Sequence, residues 1–338
     1  MRTSFFLLLA LFVGTGFCLT LSKVEAATLT VCASGCDYTT ANAALAVATE
    51  GDIVNVQGEA ASPYSSATEV WPISFPNASS TLTCTGGATL SQVAPASSNF
   101  IQLSTSSTVI GCTFGNVTLR TVSVGSEAVG GVRVVNNVFS STVTSSVEFV
   151  YGARNFEISG NTNINFLALR ATSTLGLIEN NTFYGRMGGL DSAGIFITSP
   201  SSSQLRVLSN TFTSYLTATG LTAMRAITLN GFNQTFATNT IKYAVTSPSA
   251  IDTSLLLNAS GTNYIAGNFI DAPSEAGSCY GVSISQPSNN PWTSVYTLAH
   301  NTIRLTGNCW NGRGIYLSDP GFAATPSSTI DVSYNLIF

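Results

Sequence analysis

Four residues have the types and spacing to act together. Arg225, Thr253, Tyr280 and Arg313 each stand two residues before an apolar triplet. Those triplets align with one another: Ile227-Thr228-Leu229, Leu255-Leu256-Leu257, Val282-Ser283-Ile284 and Ile315-Tyr316-Leu317. Asp252 is one residue from this alignment column, and Asp191 lies two positions before it in an earlier segment. Guanidinium groups pair with uronate carboxylates, and tyrosine offers both a stacking face and a hydroxyl. A line of Arg, Tyr and Asp would therefore grip an extended saccharide, with Asp191, Asp252, Arg225 and Arg313 as the candidates for catalysis. Scattered surface residues with an Asp–Arg pair of little worth would look the same in sequence. Trp292 and Trp310 fall where the spacing between segments lengthens, so they read as loop residues available to stack on sugar or to pack the loop. Trp71 is a third aromatic of that kind. His300, the single histidine, could serve as a base near neutral pH. Its place is held elsewhere by Ser209, Thr238 and Gly267, which marks an exposed bend.

The rest of the composition narrows the chemistry. Charged residues make up only 8% of the 338, against about 25% in ordinary soluble proteins. With a net charge of −4 and no basic cluster, the chain does not read as a nucleic-acid binder. A glycoside hydrolase needs two carboxylates roughly 5 to 9.5 Å apart across the sugar bond. No two acidic residues are adjacent, and between Ser192 and Ser318 the carboxylates are only Asp252, Asp271 and Glu275. Cysteine and histidine spacings match no zinc pattern, so no metal and no cofactor are expected. Calcium would enter only with lyase chemistry.

The N-terminus reads as an export signal. Met1-Arg2-Thr3 is a short cationic start, Phe5 to Val13 an apolar run, and Val24-Glu25-Ala26 supplies small residues for a peptidase. Residues 1–26 are the expected signal and residues 27–338 one domain with no further transmembrane segment, secreted or held at the cell surface. The apolar run is short for a membrane span, and Phe17 before Cys18 argues against a lipoprotein. Six cysteines then remain, an even number in an exported chain, which suggests disulfides among 15 conceivable pairings.

The elements that must position these residues come from a repeat. A phrase of Asn, any residue, then Phe or Ile begins at Asn137, Asn181, Asn210, Asn239, Asn268, Asn301 and Asn335. From Asn181 onward the steps are 29, 29, 29, 33 and 34 residues. The 44 residues from Asn137 to Asn181 fit two turns of 22, and Asn161 lies between them without the apolar third residue. Each repeat carries about three short alternating segments divided by Gly, Asn, Ser and Pro. Three strands per repeat wind into a parallel β-helix whose coils stack at about 4.8 Å. A column of Asn at one bend would form an amide ladder, each NH₂ donating to the next carbonyl. Cys84–Cys112 and Cys279–Cys309 are each about one coil apart, and Cys32–Cys36 are near neighbours, so proximity favours these three bridges. A β-sandwich would not produce the constant step. The array stops in mid-coil at Asn335-Leu336-Ile337-Phe338, where a partner or further chain is expected.

Near the N-terminus, Tyr38-Thr39-Thr40 leads into an Ala-rich helix over Ala41 to Thr49 with Thr as its cap, and Gly51-Asp52-Ile53-Val54 opens a strand. These phrases, followed by Gly58 and Tyr64, resemble the first coil of right-handed parallel β-helix proteins of the pectate-lyase-like superfamily. The resemblance implies an all-β, right-handed single-stranded solenoid of about ten coils with a short capping helix. It implies carbohydrate polymers as ligands and, as an alternative, a polysaccharide lyase or hydrolase acting on polyuronates. The superfamily's Arg-x-Pro-x-x-Arg and Gly-His-Gly signatures are absent. Binding or a surface, adhesin-type structural role is therefore the first reading.

Overall fold

The computed structural model describes residues 25–58, 64, 69–91, 100–115, 117–121, 129–139, 146–149, 153–164, 166–170, 175–185, 195–198, 204–216, 224–245, 251–284, 294–317 and 329–338. Residues 1–24 of the expected 1–26 signal, including Cys18, lie outside these residues.

The chain is a parallel β-helix. Its first sheet has twelve strands, from Thr28–Val31 to Thr329–Ser333, each paired with its counterpart one coil on. Twelve stacked strands agree with the solenoid of about ten coils that was expected. A second face runs from Thr89–Ser91 through Thr113–Gly115 and Val138–Phe139. Single bridges carry it across Thr162 and Ile164 to Thr182–Gly185, Thr211–Leu216 and Thr240–Val245. The third face begins at Ile73–Ser74 and passes through Ile195–Thr198, Met224–Phe232 and Ile251–Ser260. Two 16-residue strands, Phe269–Ile284 and Thr302–Leu317, belong to the second face at their starts and the third at their ends.

Alternation explains the core. Val54, Leu82, Val109, Val134, Ile158, Ile178, Val207, Phe236, Ile265 and Leu298 form one vertical inward column. All ten are buried, and each such burial is worth about 1.5–3 kcal/mol. The second face contributes Phe183 and Phe212, stacked at 4.8 Å, then Ile241, Ile270 and Ile303. The third contributes Ile227, Leu255 and Val282.

The first corner, from first sheet to second, holds the amide ladder. Asn137, Asn161, Asn181, Asn210, Asn239, Asn268, Asn301 and Asn335 follow one another. In each step both the backbone N–H and the side-chain NH₂ donate to the next Asn Oδ1; from Asn210 these lengths are 2.9 and 3.0 Å. Asn161 is a full member, so the 44-residue interval divides 24 and 20, not 22 and 22. Its coil is short, and the apolar third residue is not what the ladder requires. At the N-terminal end Cys112 takes the ladder position: its N–H donates to Asn137 Oδ1 and its sulfur is bonded to Cys84. Cys32 and Cys36 form a second disulfide.

The residue before each Asn is left-handed, with φ between 53° and 65° at Asn136, Gly160, Asn180, Ser209, Thr238, Gly267, His300 and Tyr334. His300 thus sits at an exposed bend, stacked on Tyr334 at 5.1 Å.

The helix spans Ala41–Val47, two residues shorter than expected, and Thr40 caps it through Ala43 N. Ala48 leaves helical geometry at ψ 137°, and Thr49 turns its N–H and hydroxyl onto Asp52. Ala41, Ala44 and Leu45 are buried in the core at that end. Trp71 packs against the same core, so it is not a free sugar platform.

Candidate functional site

The third face acquires its chemistry at the second corner. There Ala226, Ser254, Gly281 and Gly314 occupy successive coils, between paired residues on either side. A Cβ on Gly281 would lie 2.4 Å from Ile303 Cγ2, and one on Gly314 would lie 2.5 Å from Ile337 Cγ2. Only small residues fit where the isoleucine column of the second face presses into this corner. With Gly281 and Val282 buried in succession, Tyr280 is left half-exposed at the edge.

The register places Arg225 beside Thr253, Thr253 beside Tyr280, and Tyr280 beside Arg313. The four residues aligned in sequence are one column, and three rungs separate its ends by about 14 Å. At the C-terminal end the side chains form a cluster. The rings of Tyr280 and Tyr316 stack at 4.4 Å, 13° from parallel. The Arg313 guanidinium carbon lies 4.7 Å from the centre of the Tyr316 ring. Each contact restrains the others, so two phenols and one cation are held together on an outward face. Arg313 is exposed.

Tyr316 is the member of the cluster that reading by triplets missed. It stands in the middle of an apolar triplet, and the middle position points outward by strand alternation. A tyrosine there, where Thr228, Leu256 and Ser283 precede it on the same column, was the available signal.

Other candidates separate from the cluster. The backbones of Arg225 and Asp252 lie on the third face, but their side chains are outside the described residues, as are Asp191 and Trp292 altogether. Trp310, Cys279 and Cys309 have described backbone only; the register puts Cys309 beside Gly277 and Cys279 beside Gly312.

Several carboxylates have structural partners. Asp52 accepts from Ala27 N at 2.7 Å, Thr49 N at 2.7 Å and Thr49 Oγ1 at 2.9 Å. Those bonds, the Thr49 N–H first, hold it below the usual carboxylate range. Glu69 accepts from Ala41 N at 2.8 Å and Asn42 N at 3.0 Å, serving the open N–H groups of the helix from 28 residues away. Tyr64 donates to it at 2.8 Å; burial first, and then the Glu69 charge, push the phenol pKa up. Asp37 is held low by the Thr30 N–H and hydroxyl. Glu148 pairs with Arg120 at 2.9 Å. Glu157 pairs with Arg133 at 2.8 Å and accepts from Ser159, which lowers its pKa, the arginine bond contributing most. Asp271 is chelated by Arg304, whose pKa it raises. Among the described residues no group of three His, Cys, Asp or Glu side chains could hold a metal ion.

The fold has counterparts among solved structures. The crystal structure of the periplasmic alginate epimerase AlgG is similar at a TM-score of 0.47 and 11% identity, over 86% of this chain and 76% of that one. A likeness of that degree carries no argument about activity. No family model matches the sequence. No curated protein matches it either. Among the described residues no helix is long and apolar enough to cross a membrane.

Proposed function

We propose that this protein works outside the reducing cytosol as a saccharide-binding β-helix, with an extended carbohydrate polymer lying across the coils of the third face. The observation that carries this reading is the Tyr280–Tyr316 stack with Arg313 against it. Phenol edges and hydroxyls contact a pyranose, and a guanidinium meets an acidic group on the sugar. Arg225, in the same column, extends the line toward the N-terminus. Export is supported by the signal-like start and by the two disulfides. Binding is favoured over catalysis by the sequence, in which no two acidic residues are adjacent and the Arg-x-Pro-x-x-Arg and Gly-His-Gly signatures are absent.

A glycan-array screen of the exported chain tests the reading, run beside an ultraviolet assay for unsaturated product on polyuronates. Binding without product, weakened about tenfold in Tyr316→Ala and in Arg313→Ala, is the expected result. Unsaturated product lost in Arg225→Ala or Arg313→Ala would replace the binding module with a lyase. Silence in both assays would end the carbohydrate reading.

A further inference from the structure

The outer surface of the first sheet carries a groove of ≈ 400 Å³, remote in the coil from the Tyr280–Arg313 face. Its walls come from four successive coils: Asn155 beside Leu175, Leu175 beside Gln204, and on the next outward column Leu177 beside Arg206 and Arg206 beside Thr235. Two leucines form its floor, and Leu175 is 45% exposed. An exposed leucine alone means little, but two adjacent ones inside a concavity mark a contact surface. Phe156 is buried below, its ring filling the space over Gly176.

The rim is polar and partly unpaired. Among the described residues Gln204, Asn155 and Arg206 have no side-chain partner, whereas Asn233 Oδ1 is used by Thr262 N at 2.7 Å. Charge is unbalanced around the leucines. Glu157, beside Leu177, is already neutralised by Arg133, so among the described residues the unpaired charges here are Arg206, the exposed Arg154 next to Asn155, and Glu179, which lies diagonally from Arg206 without pairing to it. The excess is positive.

We propose that this groove binds a short extended peptide segment of a partner protein, seating an aliphatic side chain on Leu175 and Leu177 and an Asp or Glu carboxylate on Arg206. Three features choose peptide over sugar. The exposed floor is aliphatic and offers no aromatic platform of the kind Tyr280 and Tyr316 provide. The free side-chain amides of Asn155 and Gln204 match the N–H and C=O groups of a peptide backbone. Four coils span about 14 Å, which is about four residues of extended chain at ~3.3 Å each. Residues two apart in such a segment face the same way, so an aliphatic and an acidic residue at that spacing reach Leu177 and Arg206 together. This proposal does not depend on the saccharide reading.

The test uses the exported chain and capped, fluorescent hexapeptides holding one Leu and one Asp two positions apart, read by anisotropy. Peptides of this pattern are expected to bind, about tenfold weaker when their Asp is replaced by Asn and about tenfold weaker to Arg206→Ala. Leu177→Ser should weaken them too, Arg313→Ala should leave them unchanged, and Glu179→Gln should tighten them. If no peptide binds better than its Asn control, or if Arg313→Ala and not Arg206→Ala removes binding, the proposal is wrong. Binding of a trigalacturonate that is sensitive to Arg206→Ala, without peptide binding, would overturn it in favour of a sugar site.

Discussion

The two corners that flank the second face are built on different principles. At the first corner, the ladder Asn follows the inward residue of the first sheet by three positions in every coil from Val134 to Val332, and Cys112 keeps the same distance from Val109. At the second, the count from the inward residue of the second face to that of the third varies: 15 residues from Phe212 to Ile227, 14 from Ile241 to Leu255 and 12 from Ile270 to Val282. The first corner satisfies its own backbone through one side chain, so any change in length would break two hydrogen bonds above and below. The second is held by isoleucines packing against small residues, which fixes only where the strand resumes. What lies between is free to vary, and Tyr280 and Arg313 stand at its end, against Tyr316 on the resumed strand. A rigid corner beside a variable one is how a repeat scaffold carries a site without losing register.

The largest test of this contrast is Asn210→Leu. It removes the acceptor for Asn181 N and Nδ2, both buried, and should cost about 3–5 kcal/mol in denaturant unfolding. Arg313→Ala at the other corner should stay within about 0.5 kcal/mol. Equal losses would break the comparison. Next, opening the Cys84–Cys112 bridge by double substitution to Ala should cost about 3–4 kcal/mol, since it closes a 28-residue separation. Opening Cys32–Cys36, which spans four residues, should cost about 2 kcal/mol. A larger loss at Cys32–Cys36 would deny that Cys84–Cys112 anchors the ladder.

Thr238→Asn probes the left-handed column. A β-branched residue at φ 56° is strained, and Asn tolerates that conformation, so thermal stability should rise by about 1 kcal/mol. The smallest effect concerns the N-terminal cap, which neither corner shares. Asp52 has a folded pKa below its unfolded value, so its contribution is fully present above the unfolded pKa and is lost as pH falls through the folded one. Hydrogen exchange of Ala27 and Thr49 amides should therefore accelerate below about pH 4, and Asp52→Asn should remove that dependence.

Much of the fold was legible because vertical stacking forces identical demands on equivalent residues. The Asn phrase named seven of the ladder positions, and it missed Asn161 because Asn163 follows where Phe or Ile was sought. Cys112 was paired with Cys84 by spacing, yet its place in the ladder went unseen, although Cys112-Thr113-Phe114 repeats the phrase with sulfur in place of the amide. The Arg225–Thr253–Tyr280–Arg313 column was readable for the same reason of register. Glu69 was not, since nothing local tells that a carboxylate 28 residues away will cap a helix.

The amino-acid sequence by itself determined the solenoid, its inward columns, the amide corner and the rung on which each polar residue sits. These follow from periodicity, which is a one-dimensional property. Only the tertiary structure decided which outward residues meet. Tyr316 joins Tyr280 across a rung and three positions, and Leu175, Leu177 and Arg206 form one groove from two coils. Such contacts depend on how far a side chain reaches over its neighbour and on where a glycine lets the backbone turn, and neither is written in the repeat.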